Sequence, residues 1–455
     1  MSVYEADRAA FDIGLRRALN RAYLKRNPDA AAIAASVVAA GALGLALSLS
    51  PILGASLVAF VVLLAVIAIF DLLGVAVILA ATVPWLIVLS AVLPRLTLTF
   101  VAGATALVIL LVVRPRGDGS KASFLLRLGM VLFFAPAAIS LGRSGTADGF
   151  IQAAKYVVFP VMVLAVTEAT NRRDLFRLRT VALWSGLVAI TVNLILGFAG
   201  VTKSEYYESG EILGFGGEHV LALLAGCLTA ASLASGLTLS WAPVIAVGAI
   251  ATVATGVRSA LPGLALVAIA RMITGRLRFR MMVLVALAVV GIFASGAADV
   301  VENRYHRGKS LGEYNSFSSF GSGRGTVYQV AVESWWNSSP IDLVIGTGLR
   351  SIRTFQEERT GVANVGHSDI IEVGVQLGVV GLIGLLLIWR VLIERVESRL
   401  PLFVLGSFAL FNGMLEYSGA VVVALVLTAG LKSRQPVPPE EPLGVRAHPL
   451  ISRRA

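Results

Sequence analysis

The chain runs to 455 residues, 57% of them apolar and 14% charged, with a mean hydropathy of +0.83. A water-soluble core cannot hide that much apolar side chain, so the composition describes a polytopic membrane protein. The formal net charge of +11 is strung in clusters between apolar runs rather than gathered on one soluble face, which sets aside nucleic-acid binding.

The first 28 residues are charged and lack the apolar stretch that a cleavable signal needs. Phe11, Leu15, Leu19 and Tyr23 recur every four residues beside Arg16, Arg17 and Arg21, which predicts an amphipathic helix lying on the cytoplasmic face. Apolar runs closed by charge or Gly/Pro then predict spans near 30–48, 52–70, 72–94, 96–113, 128–141, 152–169, 180–199 and 219–236. They continue near 241–256, 260–270, 281–297, 369–389, 400–414 and 419–431. The spans around Asp71 can be divided in more than one way, so the expectation is an all-α polytopic protein with about 12 to 14 transmembrane helices. Short alternating strands, the mark of a β-barrel, do not occur.

Arg and Lys cluster at 16–26, 114–127, 172–179, 271–280 and 390–399, and these read as cytoplasmic loops by the positive-inside rule. The rule also demands a break near Arg258, helped by Pro262 and Gly263; without it the basic loop at 271–280 would face the wrong side. The same threading puts 142–150, 201–218, the surroundings of Arg258 and a long loop outside. The organisation is a cytoplasmic amphipathic N-terminus over 1–29, transmembrane helices over 30–297 and a long periplasmic or extracellular loop over 298–366. C-terminal transmembrane helices over 367–431 and a disordered, proline-bearing cytoplasmic tail over 432–455 follow. Within the loop, 328–336 carries Val330, Val332, Trp335 and Trp336, which suits an interfacial helix.

Chemistry concentrates in the second half. His367 stands where the long loop re-enters an apolar run, followed by Ser368, Asp369 and Glu372, an order that predicts a helix cap, with Asp369 and Glu372 as a capping box. A histidine at a helix N-terminus is kept neutral by the dipole, while a nearby anion is favoured there. Nine residues after Ser368 come Gly378, Val379, Val380 and Gly381, with the glycines placed to let another helix approach. An ordinary interfacial histidine beside a small-residue face fits these residues equally well.

Arg324 lies in a glycine-rich run, 320–326, where the backbone can approach a ligand and a guanidinium can fork onto phosphate oxygens; a flexible loop touching lipid headgroups is the plainer alternative. Arg258, an arginine inside an apolar stretch, is costly unless it pairs or lines a watered cavity. Lys155 and Arg143 are weaker candidates that snorkelling would explain, and Glu218 with His219 could line the same cavity or simply start a helix. The acidic residues of the outer loops lack metal-ligand spacing, no Gly-x-Ser-x-Gly run occurs, and the single cysteine, Cys227, sits in an apolar run.

Four pieces stand in order: Gly214 to Ala225; Thr255-Gly256-Val257-Arg258-Ser259-Ala260; Ser322-Gly323-Arg324 with its tryptophan-bearing helix and Ile345-Gly346-Thr347-Gly348-Leu349; and His367-Ser368 with Gly378 to Gly381. Together, over about residues 210 to 395, they resemble the O-antigen ligase and polysaccharide polymerase superfamily. The resemblance implies a glycosyltransferase of the C-type helical membrane fold in a bacterial inner membrane, with a metal-independent site facing the periplasm or exterior and no cofactor. It implies a glycan donor on undecaprenyl diphosphate, with the bilayer, a chain-length regulator or other envelope-assembly proteins as partners. His367 would then act on the acceptor hydroxyl, while Arg258 and Arg324 hold the diphosphate. Lys155, Ser368, Glu218, His219 and Arg143 would line the substrate. Serine at 368 departs from the commoner asparagine. The Ser322-Gly323-Arg324 run leans towards polymerases, and the His-Ser spacing towards ligases.

Two readings from other classes remain. A transporter of lipid-linked glycans would be expected to show paired broken helices in both halves, whereas the polar residues of interest here fall in the second half. A non-catalytic scaffold of envelope assembly would tolerate loss of Arg258 and Arg324.

Overall fold

The computed structural model describes residues 72–89, 95–144, 147–198, 218–235, 242–255, 257, 259–274, 324–361 and 367–429, and every regular element among them is helical. In chain order these are α1 (Leu72–Val88), α2 (Arg95–Val113), α3 (Lys121–Ser144), α4 (Ala147–Thr167), α5 (Arg172–Phe198), α6 (Glu218–Ser235), α7 (Ala242–Ala254) and α8 (Ala260–Thr274). The loop region contributes α9 (Arg324–Trp336), α10 (Pro340–Ile345) and α11 (Ser351–Thr360). The C-terminal part holds α12 (Asp369–Arg395), α13 (Leu400–Phe411), a 3₁₀ turn (Met414–Glu416) and α14 (Ser418–Leu427).

Among the described helices, 5 are long and apolar enough to cross a membrane, and α1, α2 over Val101–Val113, α7, α8, α13 and α14 are shorter apolar helices. The spans expected at 30–48, 52–70 and 281–297, the N-terminal amphipathic helix and the tail lie outside the described residues. The expected break near position 258 is present, because α7 ends at Ala254 and α8 starts at Ala260.

Burial follows sequence face by face. On α3, Leu126, Phe133 and Ala137 recur at helical spacing and are buried, while Phe124, Val131 and Ile139 point outward. In water such an exposed stripe would be a liability; facing lipid it is the expected surface. After Ser418, α14 is apolar all round and is buried from Ala420 to Leu427, so a valine-rich segment of modest helix propensity is held helical by its position in the core. Arg179 is buried in α5 and donates to Leu427 O, Ala231 O and Ser235 Oγ, satisfying carbonyls at the last turns of α14 and α6.

The longest packing seam joins α3 to α12. A Cβ on Gly384 would stand 2.6 Å from Phe133 N and 2.7 Å from Gly129 O, so only glycine allows this approach. The close approach expected at the Gly-x-x-Gly pair is present at Gly378, where a Cβ would stand 2.3 Å from Val344 O of α10, while the α3 seam uses Gly384 and Gly129. Gly378 also breaks α12, with φ 71° and ψ −174°. The break frees the carbonyls of Val375 and Gln376. Thr347 N donates to Val375 O at 2.9 Å, and Gly348 N and Ser140 Oγ donate to Gln376 O at 3.3 and 3.0 Å. In a low-dielectric surrounding, irregular backbone persists only when its polar groups are satisfied by protein or water, and residues 346–348 supply that here. A Cβ on Gly346 would collide with Gln376 O, and one on Gly378 with Val344 O, so the crossing needs both glycines.

Candidate active site

The site forms at the end of the helices where α3 finishes and α4, α6 and α12 begin. His367 precedes α12 with φ 51°, one of three non-glycine residues with positive φ among the described residues. That conformation costs a histidine on the order of 1 kcal/mol and survives only where the surroundings over-determine it. Tyr328 OH of α9 donates to His367 O at 3.2 Å, and Ser368 O accepts from Glu372 N at 2.8 Å.

The expected capping box is not formed. Ser368 occupies the N-cap without a side-chain cap bond. Asp369 is fully buried and accepts from Met414 N at 3.0 Å and Leu415 N at 3.2 Å. The unpaired amides of the 3₁₀ turn outcompete the helix's own first turn for this carboxyl, so Asp369 fixes the turn that carries Glu416.

Glu416 receives Lys155 Nζ and, at 2.8 Å, Gln152 Nε2, both from the first turns of α4. Burial alone would raise its pKa. The Lys155 charge and hydrogen bond, the Gln152 hydrogen bond and the charge of Arg350 more than offset that and hold the carboxyl below its ordinary value. Arg324, the first residue of α9, donates to Phe411 O and, at 3.0 Å, to Asn412 Oδ1, so it closes the C-terminal end of α13. A guanidinium carries five donors, so two bonds aim the fork without exhausting it. Burial, then the positive charge of Arg324, pushes the His367 imidazole down to about 4, against an opposing pull from Glu416. The arrangement is a neutral imidazole facing a cation aimed by helix ends, beside a carboxylate already matched by lysine.

Residues 243–386 match the model of the O-antigen ligase family. Over that segment the chain is similar to the O-antigen ligase family. No curated protein matches the chain. The matched segment runs from α7 to the middle of α12 and includes Arg324, His367 and the Gly378 break. With the apolar helices, it supports an integral-membrane enzyme of O-antigen or polysaccharide assembly.

The sequence-predicted residues separate within this family frame. His367, Arg324, Ser368 and Lys155 come together around the turn from Asn412 to Glu416. Lys155 is 7% exposed and bound to Glu416, so it does not snorkel to the headgroups. His219 Nε2 lies 3.3 Å from Glu218 Oε1, and its ring stands 6.2 Å from that of Tyr417, which places the pair at the edge of the same group. Arg143 reaches elsewhere, to Asp342 Oδ1 at 2.7 Å and Gly346 O at 3.0 Å, and ties α3 to α10. Arg258 lies outside the described residues; the adjacent Ser259 O accepts from Ser407 Oγ of α13, four residues before Phe411.

Sequence reasoning missed Glu416, Asn412, Gln152, Tyr328 and Arg350. Glu416 and Asn412 sit between two apolar runs, where Asn412-Gly413 followed by Glu416 was a legible turn signal. Gln152 shares a face with Lys155 at i+3. Tyr328 and Arg350 carried no local signal.

Proposed function

We propose that the chain is an integral-membrane glycosyltransferase that polymerises undecaprenyl-diphosphate-linked repeat units, without a metal, at a site facing the periplasm or cell exterior. The observation that carries this reading is His367, held neutral and in a strained backbone beside Arg324 at the mouth of α12. The imidazole takes the proton of the acceptor hydroxyl as its oxygen attacks the anomeric carbon. The bond from that carbon to the diphosphate oxygen breaks, and the electron pair leaves with the lipid diphosphate. Arg324 and Arg258 meet the charge that develops there, and Lys155, Ser368, Glu218 and His219 line the path of donor and acceptor, while Arg143, held by Asp342 and Gly346, is left out of that path. The domains follow the same scheme, with the loop over 298–366 covering the site from outside.

A second reading, transfer of the finished chain to lipid A core or another acceptor, is favoured by the His-Ser spacing to Gly378 and by the name of the matched family. Sizing of lipid-linked products in a deletion strain separates the two. Single repeats left on lipid indicate the polymerase, and accumulated long chains indicate the ligase. In a reconstituted assay with purified protein, His367→Ala is expected to lower transfer by about 10² to 10⁴-fold, the usual worth of a general base. Unchanged transfer overturns both readings.

A further inference from the structure

Asn412 closes α13, its backbone amide donating to Phe408 O at 2.8 Å with φ −146° and ψ −3°. The left-handed step of the turn falls on the next residue, Gly413, at φ 68°. Asparagine at 412 is therefore not there to take a left-handed backbone, and the reason for it lies in its side chain. The residue is 1% exposed. Its Oδ1 accepts from Arg324 Nη2 at 3.0 Å, and because a guanidinium can only donate, the amide cannot be turned the other way round. Nδ2 is then left buried without a hydrogen-bond partner among the described residues. Aspartate, of nearly the same shape, would carry no such idle donor and would meet Arg324 with a charge.

The neighbouring acids are engaged elsewhere. Asp369 accepts from the amides of Met414 and Leu415, and Glu416 holds Lys155 and Gln152. Arg324 is met by two neutral oxygens, Phe411 O and Asn412 Oδ1, and by no carboxylate among the described residues. The turn that carries Asn412 also lies against the histidine: a Cβ on Gly413 would stand 3.8 Å from His367 C and 3.7 Å from Ser368 N.

We infer that Asn412 is a positioning residue, whose uncharged amide oxygen fixes the direction of the Arg324 guanidinium while leaving its whole positive charge for His367 and for an anionic substrate. The inference deepens the proposed glycosyl transfer and rests on that reading for the identity of the substrate. A carboxylate at 412 would hold the arginine and cancel the charge it is placed to supply. The groups around His367 keep the sign of that change clear. Glu416 opposes Arg324 but is matched by Lys155 of α4. Asp369 and Glu372 stand in the first turn of α12, Tyr328 of α9 bonds His367 O, and Tyr417 follows Glu416. Aspartate at 412 would add a negative charge to this set with no further cation to meet it, and would favour the imidazolium.

The first test needs no substrate. Full-length protein with ¹³C-labelled histidine is titrated in nanodiscs by NMR, with the His367 signal assigned by its loss in His367→Gln. Asn412→Asp is expected to make the imidazole bind its proton about tenfold more tightly than in wild type. A titration midpoint no higher than that of wild type overturns the inference. The second test is a double-mutant cycle on glycan transfer. Asn412→Ala is expected to lower kcat/KM by about tenfold, and Asn412→Ala with Arg324→Gln to be no worse than Arg324→Gln alone, because Asn412 acts through the arginine. Losses that multiply in the double variant overturn the inference, since a residue that only closes α13 would act whether or not Arg324 is present. Should Asn412→Asp fail to fold, this cycle decides alone. A protein that shows the tightened proton yet transfers no glycan in its wild-type form sinks the glycosyltransferase reading and leaves the assignment of Asn412 standing.

Discussion

At one end of the helices, Lys155 and Glu416 pair inside the protein, and Arg324 is fastened to the last turn of α13. At the other, Arg172 meets Glu397 on open surface, and Arg395 bonds Asp118 and Ser120 beside the start of α3. Both ends are rich in charge. At the second, water and salt weaken each pair, and the positive charge acts collectively by fixing orientation across the bilayer. At the first, the charges have lost much of their water, Lys155 most of all, and each group depends on a named partner. A protein under selection for stability alone gains little from such burial, so the contrast marks the first end as the working one.

The contrast breaks most severely if the buried pair is cut. Lys155→Met leaves Glu416 without its direct cation and should lower stability by about 3 to 5 kcal/mol, read as a fall in thermal unfolding temperature in nanodiscs. Adding Glu416→Gln should recover much of that loss. A double variant no better than the single one would mean that the pair is not what the fold depends on.

The pH dependence of transfer sharpens the comparison. The depressed pKa of His367 means that the folded state holds the neutral imidazole from the ordinary value of 6.5 down to about 4. Its contribution to stability is therefore complete above 6.5 and is lost as pH falls towards 4. The acid limb of kcat/KM should accordingly lie well below 6.5. Arg324→Gln removes a nearby positive charge and should move that limb upward in the residual activity, while burial keeps it below 6.5. A wild-type limb at the ordinary histidine value would remove the base from the proposal.

The smallest effect belongs to the outer surface of the opposite end. Arg172→Ala should change stability by no more than about 1 kcal/mol, with transfer kinetics unaltered, because an exposed pair contributes little net energy. A loss as large as that of Lys155→Met would erase the distinction between the ends.

The membrane helices were legible because lipid makes hydropathy and length nearly sufficient; even the short break between α7 and α8 followed from charge on the neighbouring loop. His367 and Arg324 were legible as charged or titratable groups at apolar borders. The partnerships were not. The side chain of Asp369 reads locally as a helix cap, yet it bonds amides 45 and 46 residues away, a choice made by tertiary packing. Gly378 reads as a small residue on a packing face, and only the backbone of residues 346–348 lying across it reveals a break. Glu416 and Gln152 gain significance only once α4 and the 3₁₀ turn are side by side.

The stitch between residues 346–348 and the broken α12 also governs how the site can be reached. Amide-to-carbonyl bonds made where water is scarce are expensive to open, and here they are joined by the side-chain bonds of Thr347 to Val375 and of Arg143 to Gly346. The segment from α10 to the start of α11 therefore behaves as masonry rather than as a door: it is a fixed wall built onto a membrane helix. A lipid-borne substrate arriving from the bilayer must pass beside that wall.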